Sequence, residues 1–209
     1  MTTLLFDFDG TLADSLSAIV TITNRLAPEF GYRPTPWEKI EALKGLNARQ
    51  LIQYSGISIL KIPALLRRLQ TELRQQSTLI PPCAGMPTVI QALYERQHTL
   101  AVITSNSPDI VRTFLATHQM QDCFVNVDGG GTLFRKGKLI AQYLQRNSFD
   151  LAQTVYIGDE VRDIEAARLA GIRSVAVTWG FNQREVLAAA NPDWLVDDPE
   201  ALQAIADAV

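Results

Sequence analysis

The sequence predicts an α/β protein whose parallel sheet is covered by helices on both faces and interrupted, after its first strand, by an all-helical insertion. Three observations lead there. Short apolar runs at 100–103, 123–125, 155–157 and 174–177, flanked by turn residues, read as buried strands. Amphipathic segments alternate with them, which is the pattern of strand-helix-strand units and hence of a parallel sheet. The first half holds one strand-like run, Leu4-Leu5-Phe6, followed from about Leu16 to about Ile80 by helical patterning alone.

Taken in order, the first strand ends in Asp7-Phe8-Asp9-Gly10-Thr11. In the stretch that follows, Ile19, Ile22 and Leu26 form one helical stripe and Ile62, Leu65, Leu66, Leu69 and Leu73 another. Pro81-Pro82 marks a stiff return to the alternating pattern. Helices are then expected over 87–95, 108–116, 138–145 and 163–170. In the third of these Leu139, Ile140, Tyr143 and Leu144 share a face, and Gly171 sits at the C-terminal cap of the fourth. The boundaries implied are a core of 1–15 and 81–209 and a helical unit of 16–80.

Composition limits the partners. The chain has 209 residues, 47% of them hydrophobic, enough for one large domain or one domain with an insertion. A net charge of −3 with scattered basic residues argues against nucleic acid and leaves room for a small anionic substrate. Cys83 and Cys123, the two cysteines, are expected as reduced thiols in a cytoplasmic protein. Asp7 and Asp9 interrupt any signal-peptide core, and no apolar run approaches membrane-spanning length.

The strand ends carry the chemistry. Side chains two apart on a continuing strand share a face, so Asp7 and Asp9 would crowd like charges unless a cation or proton relieves them. Strand 100–103 runs into Thr104-Ser105-Asn106, and strand 155–157 into Gly158-Asp159-Glu160, with Asp163 one helical turn after Asp159. Lys136 stands at a helix start, in Arg135-Lys136-Gly137-Lys138. Parallel strands deliver their C-terminal ends to one rim, where ligands of such folds bind. Carboxylates gathered without histidine or cysteine suit a hard cation such as Mg2+; His98 and His118 are expected on surface helices, away from the strand ends. Such an ion between Asp7 and Asp159 would let a phosphate dianion approach a carboxylate nucleophile, with lysine and hydroxyl donors holding the other oxygens.

These motifs, in this order, resemble the haloacid dehalogenase-like hydrolase superfamily over Thr2 to about Val177. The insertion resembles the alpha-helical cap of the subgroup containing phosphoglycolate phosphatases and beta-phosphoglucomutase. The resemblance implies a three-layer Rossmann-like core with that cap. It implies an Mg2+-dependent phosphatase acting on a small phosphorylated metabolite. Asp7 would be nucleophile and metal ligand. Asp9 would be general acid and base and would lend a backbone carbonyl to the metal. Asp159 and Asp163 would hold the metal, while Thr104 and Lys136 would bind phosphoryl oxygens, with Ser105 and Lys138 as rivals. Gly45-Leu46-Asn47-Ala48-Arg49 resembles a cap loop facing the site, which makes Arg49 a candidate for a second anionic group of the substrate. Trp179, in Trp179-Gly180-Phe181-Asn182, is expected to pack or to anchor its loop rather than stack on substrate.

Rival activities are a sugar phosphomutase, which uses the same core residues, and a phospho-acceptor domain, which also uses a strand-end aspartate, a hydroxyl and a lysine. Asp9 speaks against a dehalogenase, and the contexts of Lys44 and Lys61 against a phosphonatase. The expected assembly is a monomer or weak homodimer.

Overall fold

The computed structural model describes residues 1–46, 48–130 and 136–209. Its strands are β1 (Thr3–Phe6), β2 (Thr99–Ile103), β3 (Asn126–Asp128), β4 (Thr154–Gly158), β5 (Arg173–Val177) and β6 (Trp194–Val196). All pair in parallel, in the order β3-β2-β1-β4-β5-β6. Between β1 and β2 lie α1 (Leu16–Phe30), α2 (Ile40–Leu43), α3 (Ala48–Ser55) and α4 (Ile62–Gln76), then α5 (Met86–Glu95). The remaining helices are α6 (Pro108–Thr117), α7 (Lys136–Asn147), α8 (Val161–Ala170), α9 (Arg184–Ala189) and α10 (Ala201–Ala208).

Central β1 shows why the strands read as unbroken apolar runs. Leu4 and Phe6 point into a core with Ile90 of α5, Phe114 of α6 and Leu202 of α10. Leu5 points the other way, to Tyr143 of α7 and Ala167 of α8. Both faces are dry, so neither strand face needs polar residues. The result is the expected three-layer α/β fold with a helical cap inserted after the first strand. In that insertion α1 packs on α4 through Ile22, Leu26 and Leu73, and Arg25 pairs with Glu72.

The two ends of the insertion meet. Asp14 N–H donates to Pro81 O at 2.9 Å, Cys83 N–H donates to Leu12 O at 2.9 Å, and Ala13 bridges Pro82 antiparallel. The chain therefore leaves and re-enters the core through one paired strip.

Two expectations need correction, and one strand was not expected at all. The strand expected at 123–125 lies at Asn126–Asp128, and Gln121–Cys123 form a 3-10 turn. Cys123 and Phe124 are buried as the approach to an edge strand that needs less apolar character than a central one. β6 went unread because Trp194–Val196 is three residues long, too short for a period. His98 and His118 are not surface helix residues: each follows a helix end and is half-buried. The His118 ring packs on Phe114, and its Nε2 lies 2.9 Å from Ile80 O.

Phe114 is fully buried and meets Phe8 edge-to-face, with ring centroids 5.0 Å apart, beneath the loop that follows β1. Phe114→Ala is expected to cost about 3–5 kcal/mol in urea unfolding. A loss under about 1 kcal/mol would show that this packing does not support the loop.

Candidate active site

The site begins where β1 stops. Asp7 N–H still donates to Ile157 O at 2.8 Å, so its side chain continues the alternation of Leu5 toward α7 and α8. There Lys136, at the first turn of α7, places Nζ 2.5 Å from both Asp7 Oδ2 and Asp163 Oδ1. The lysine is 4% exposed. Burial alone would lower its pKa, but Asp163 and Asp7 outweigh burial and raise it. Lys138 is exposed, so of the two rivals only Lys136 lies among the acids. Leu133, Phe134 and Arg135, which precede it, lie outside the described residues.

After Asp7 the chain turns instead of continuing as a strand. Phe8 O accepts from the N–H groups of Thr11, Leu12 and Ala13, and Gly10 adopts φ +78°. A side chain at Gly10 would be strained and would run into the Asp159 carboxylate. The turn sends Asp9 away from Lys136 and toward Asn106, whose Nδ2 donates to Asp9 Oδ2 at 2.9 Å. The other oxygen, Asp9 Oδ1, is buried without a hydrogen-bond partner among the described residues. Burial raises the Asp9 pKa, Asp7 raises it further, and the nearby Ser15 hydroxyl and Asn106 amide temper the rise. The two aspartates thus face different surroundings.

After β2, Thr104 is buried and its Oγ1 accepts from Asn106 N–H at 3.1 Å. The Ser105 hydroxyl is buried without a partner among the described residues, and Ser105 O accepts from Gln70 Nε2 of α4 at 3.3 Å. Arg49 is exposed near the start of α3 and makes no hydrogen bond or ion pair among the described residues. Asn47, in the same cap loop, lies outside them.

After β4, Asp159 is fully buried, accepting from Thr11 Oγ1 at 2.7 Å and from Phe181 N–H at 2.7 Å. Its pKa stands well above the ordinary 3.8, first through burial and then through Glu160, Asp163 and Asp7. Asp163 faces two ways. Its Oδ1 meets Lys136, and its Oδ2 accepts from Glu160 N–H at 3.0 Å, capping α8. Capping and the acidic cluster are therefore one arrangement. Trp179 Nε1 donates to Thr11 O at 3.1 Å, so this tryptophan anchors the β1 loop.

Asp7, Glu160 and Asp163 each offer a carboxylate oxygen within 4.8 Å of the others. An all-oxygen set of this kind fits a hard divalent cation such as Mg2+. Asp159, expected across the ion from Asp7, directly precedes Glu160, and its two oxygens accept from Thr11 and Phe181. The sequence reading missed Glu160, Asn106 and Arg162, although all three stand inside the motifs it singled out. Arg162 pairs with Glu160 and is raised in pKa by Glu160 and Asp163 against the lowering effect of burial. An open cavity of about 600 Å3 beside Leu151, Arg168 and Arg173 lies away from this rim, and its arginines already donate to backbone carbonyls.

The family model for haloacid dehalogenase-like hydrolases matches residues 4–177. The chain belongs to this family. A phosphoglycolate phosphatase of Synechococcus elongatus is 37% identical, over 98% of this chain and 97% of its own. One from Aliivibrio fischeri is 27% identical, over 97% and 95%. Among solved structures of this haloacid dehalogenase-like fold, a predicted phosphatase from Clostridium acetobutylicum superposes with a TM-score of 0.85 at 19% identity, covering 100% of this chain and 99% of that one. A haloacid dehalogenase-like protein from Streptococcus pneumoniae gives 0.80 at 22% identity, covering 98% of each chain.

Removing the ammonium leaves two buried carboxylates without their counter-charge. Lys136→Met is expected to destabilise the metal-free protein by about 3–5 kcal/mol in urea unfolding. Unchanged stability would mean that Asp7 and Asp163 do not depend on this lysine.

Proposed function

We propose that this chain is an Mg2+-dependent phosphatase that hydrolyses a small phosphate monoester of the phosphoglycolate kind through an aspartyl-phosphate intermediate. The observation that carries the reading is the division between Asp7 and Asp9. One is paired with a buried lysine at 2.5 Å, while the other is raised in pKa and keeps an oxygen without a partner among the described residues. Such a pair suits a nucleophile and a proton donor working on opposite sides of one phosphoryl group.

Asp7 attacks phosphorus, the P–O ester bond breaks, and Asp9 gives its proton to the departing oxygen. Water then attacks phosphorus, Asp9 takes a proton from that water, the bond between phosphorus and the Asp7 oxygen breaks, and inorganic phosphate leaves. Lys136, Thr104 and the buried Ser105 hydroxyl hold the phosphoryl oxygens as charge shifts among them. Asp7, Asp159, Glu160 and Asp163, with the Asp9 backbone carbonyl, are assigned to the cation. When bound, it neutralises the approach of dianion to carboxylate.

Residues 16–80 are assigned to a cap that limits substrate size, and Arg49, exposed on α3, to the carboxylate of the substrate. The curated relatives that share nearly the whole chain, phosphoglycolate phosphatases, support that substrate class. The cap lysines do not favour phosphonate chemistry: Lys44 pairs with Glu41 at 3.3 Å, and Lys61 Nζ donates to Phe30 O at 2.9 Å.

Asp7→Asn is expected to abolish Mg2+-dependent release of phosphate from phosphoglycolate and from an aryl phosphate. Asp9→Asn is expected to lower kcat about 100-fold or more with a smaller change in KM. An Asp7→Asn variant that turns over without metal, or an Asp9→Asn variant that loses only affinity, would overturn these assignments.

The acids also set a pH response. Asp159 and Asp163 hold protons more tightly in the folded chain than at their ordinary 3.8. Without metal, stability should therefore fall as pH rises from about 4 through their raised folded values. A cation binds the deprotonated set, so the Tm gain on adding Mg2+ is expected to be larger at about pH 8 than at about pH 5. An equal gain at both would show that Mg2+ binds elsewhere.

A further inference from the structure

Asn182 joins three parts of the molecule that the proposed reaction needs in register. It is 7% exposed. Its backbone N–H donates to Asp159 O at 3.2 Å. Its side-chain Oδ1 accepts from Val161 N–H at 3.0 Å, the first amide of α8, and its Nδ2 donates to Lys44 O at 3.2 Å, where α2 of the cap ends. Val161 N–H opens α8 and Lys44 O closes α2, so the planar amide serves one helix-end donor and one helix-end acceptor at once. The neighbours extend the link. Phe181 N–H holds Asp159 Oδ2, Gln183 N–H donates to Lys44 O at 3.2 Å, and Gln183 Nε2 donates to Glu41 O at 2.6 Å. A side chain at Gly180 would collide with the Asp159 carboxylate, which shows how tightly this segment is laid against the acidic loop.

We propose that Asn182 is a positioning residue that couples docking of the cap to the order of the loop carrying Asp159, Glu160 and Asp163, so that cation binding and cap docking reinforce each other. This rests on the proposed cation site. The amide is rigid, so an open cap removes its donor's partner and loosens its hold on the N-terminus of α8. A cation that fixes the loop fixes the amide in the orientation the cap requires. Coupling of this sort is reciprocal in free energy.

The Gln183 amide proton reports the contact, because it is bonded to Lys44 O. In the full-length wild-type chain, Mg2+ is expected to slow its hydrogen exchange about fivefold or more. Asn182→Asp keeps an acceptor for Val161 and has no donor for Lys44. It is expected to bind Mg2+, measured by calorimetry, and to lose most of that protection. Gln183→Ala removes a bond to the cap and touches none of the acids. By reciprocity it is expected to weaken Mg2+ binding about two- to threefold. Equal protection in wild type and Asn182→Asp, or unchanged Mg2+ affinity in Gln183→Ala, would overturn the coupling. A wild-type chain that binds Mg2+ with no change at Gln183 overturns the coupling alone, whereas one that binds no Mg2+ removes the cation site and the coupling together.

Discussion

Lys136 keeps its ammonium in the interior between Asp7 and Asp163, and the rim of the sheet is arranged around the cost of that burial. A charge taken out of water is tolerated when its partners sit at hydrogen-bond distance and their own remaining oxygens are engaged. Here one partner comes from the end of β1, the other from the start of α8, and the lysine from the start of α7. Three segments distant in sequence are therefore fixed relative to one another by one group. Even so the acids outnumber the cations close by, and Asp159, Glu160 and Asp163 all remain raised in pKa, chiefly through burial. That residual imbalance is the electrostatic reason a divalent cation suits the place.

The turn after β1 supplies the second constraint. By leaving the strand at Asp7, the chain gives two aspartates of similar sequence context different environments, one against an ammonium and one against an amide. Gly10 makes the turn possible, and Thr11 and Trp179 fasten it, through Asp159 and through a backbone carbonyl. In that second environment burial and the Asp7 charge raise the Asp9 pKa.

Much of this was legible in the chain, for stated reasons. A sheet buried on both faces writes itself as continuous apolar runs, and parallel strands send their C-terminal ends to one rim. The placement of Asp7, Thr104 and Asp159 near one another follows from those two facts. The edge strands were harder. β3 lies three residues beyond its expected position and β6 was not seen, because short edge strands carry little apolar pattern. The assumption that Asp7 and Asp9 share a face failed because it extended a strand across a turn. Roles that depend on a partner far along the chain had no local signal at all: Asn106 reaching Asp9 across 97 positions, and Asn182 reaching Lys44 across 138.

The paired strip formed by residues 12–14 and 81–83 has a consequence for how the architecture can vary. Since the excursion begins and ends at one hydrogen-bonded pair, the sheet encounters the helices as a closed appendage on a short stem. Lengthening, shortening or exchanging the appendage leaves strand order and register untouched, and the entropic penalty grows only slowly with the number of residues added. The stem is thus the natural place at which a new specificity module can be grafted without asking the sheet to refold.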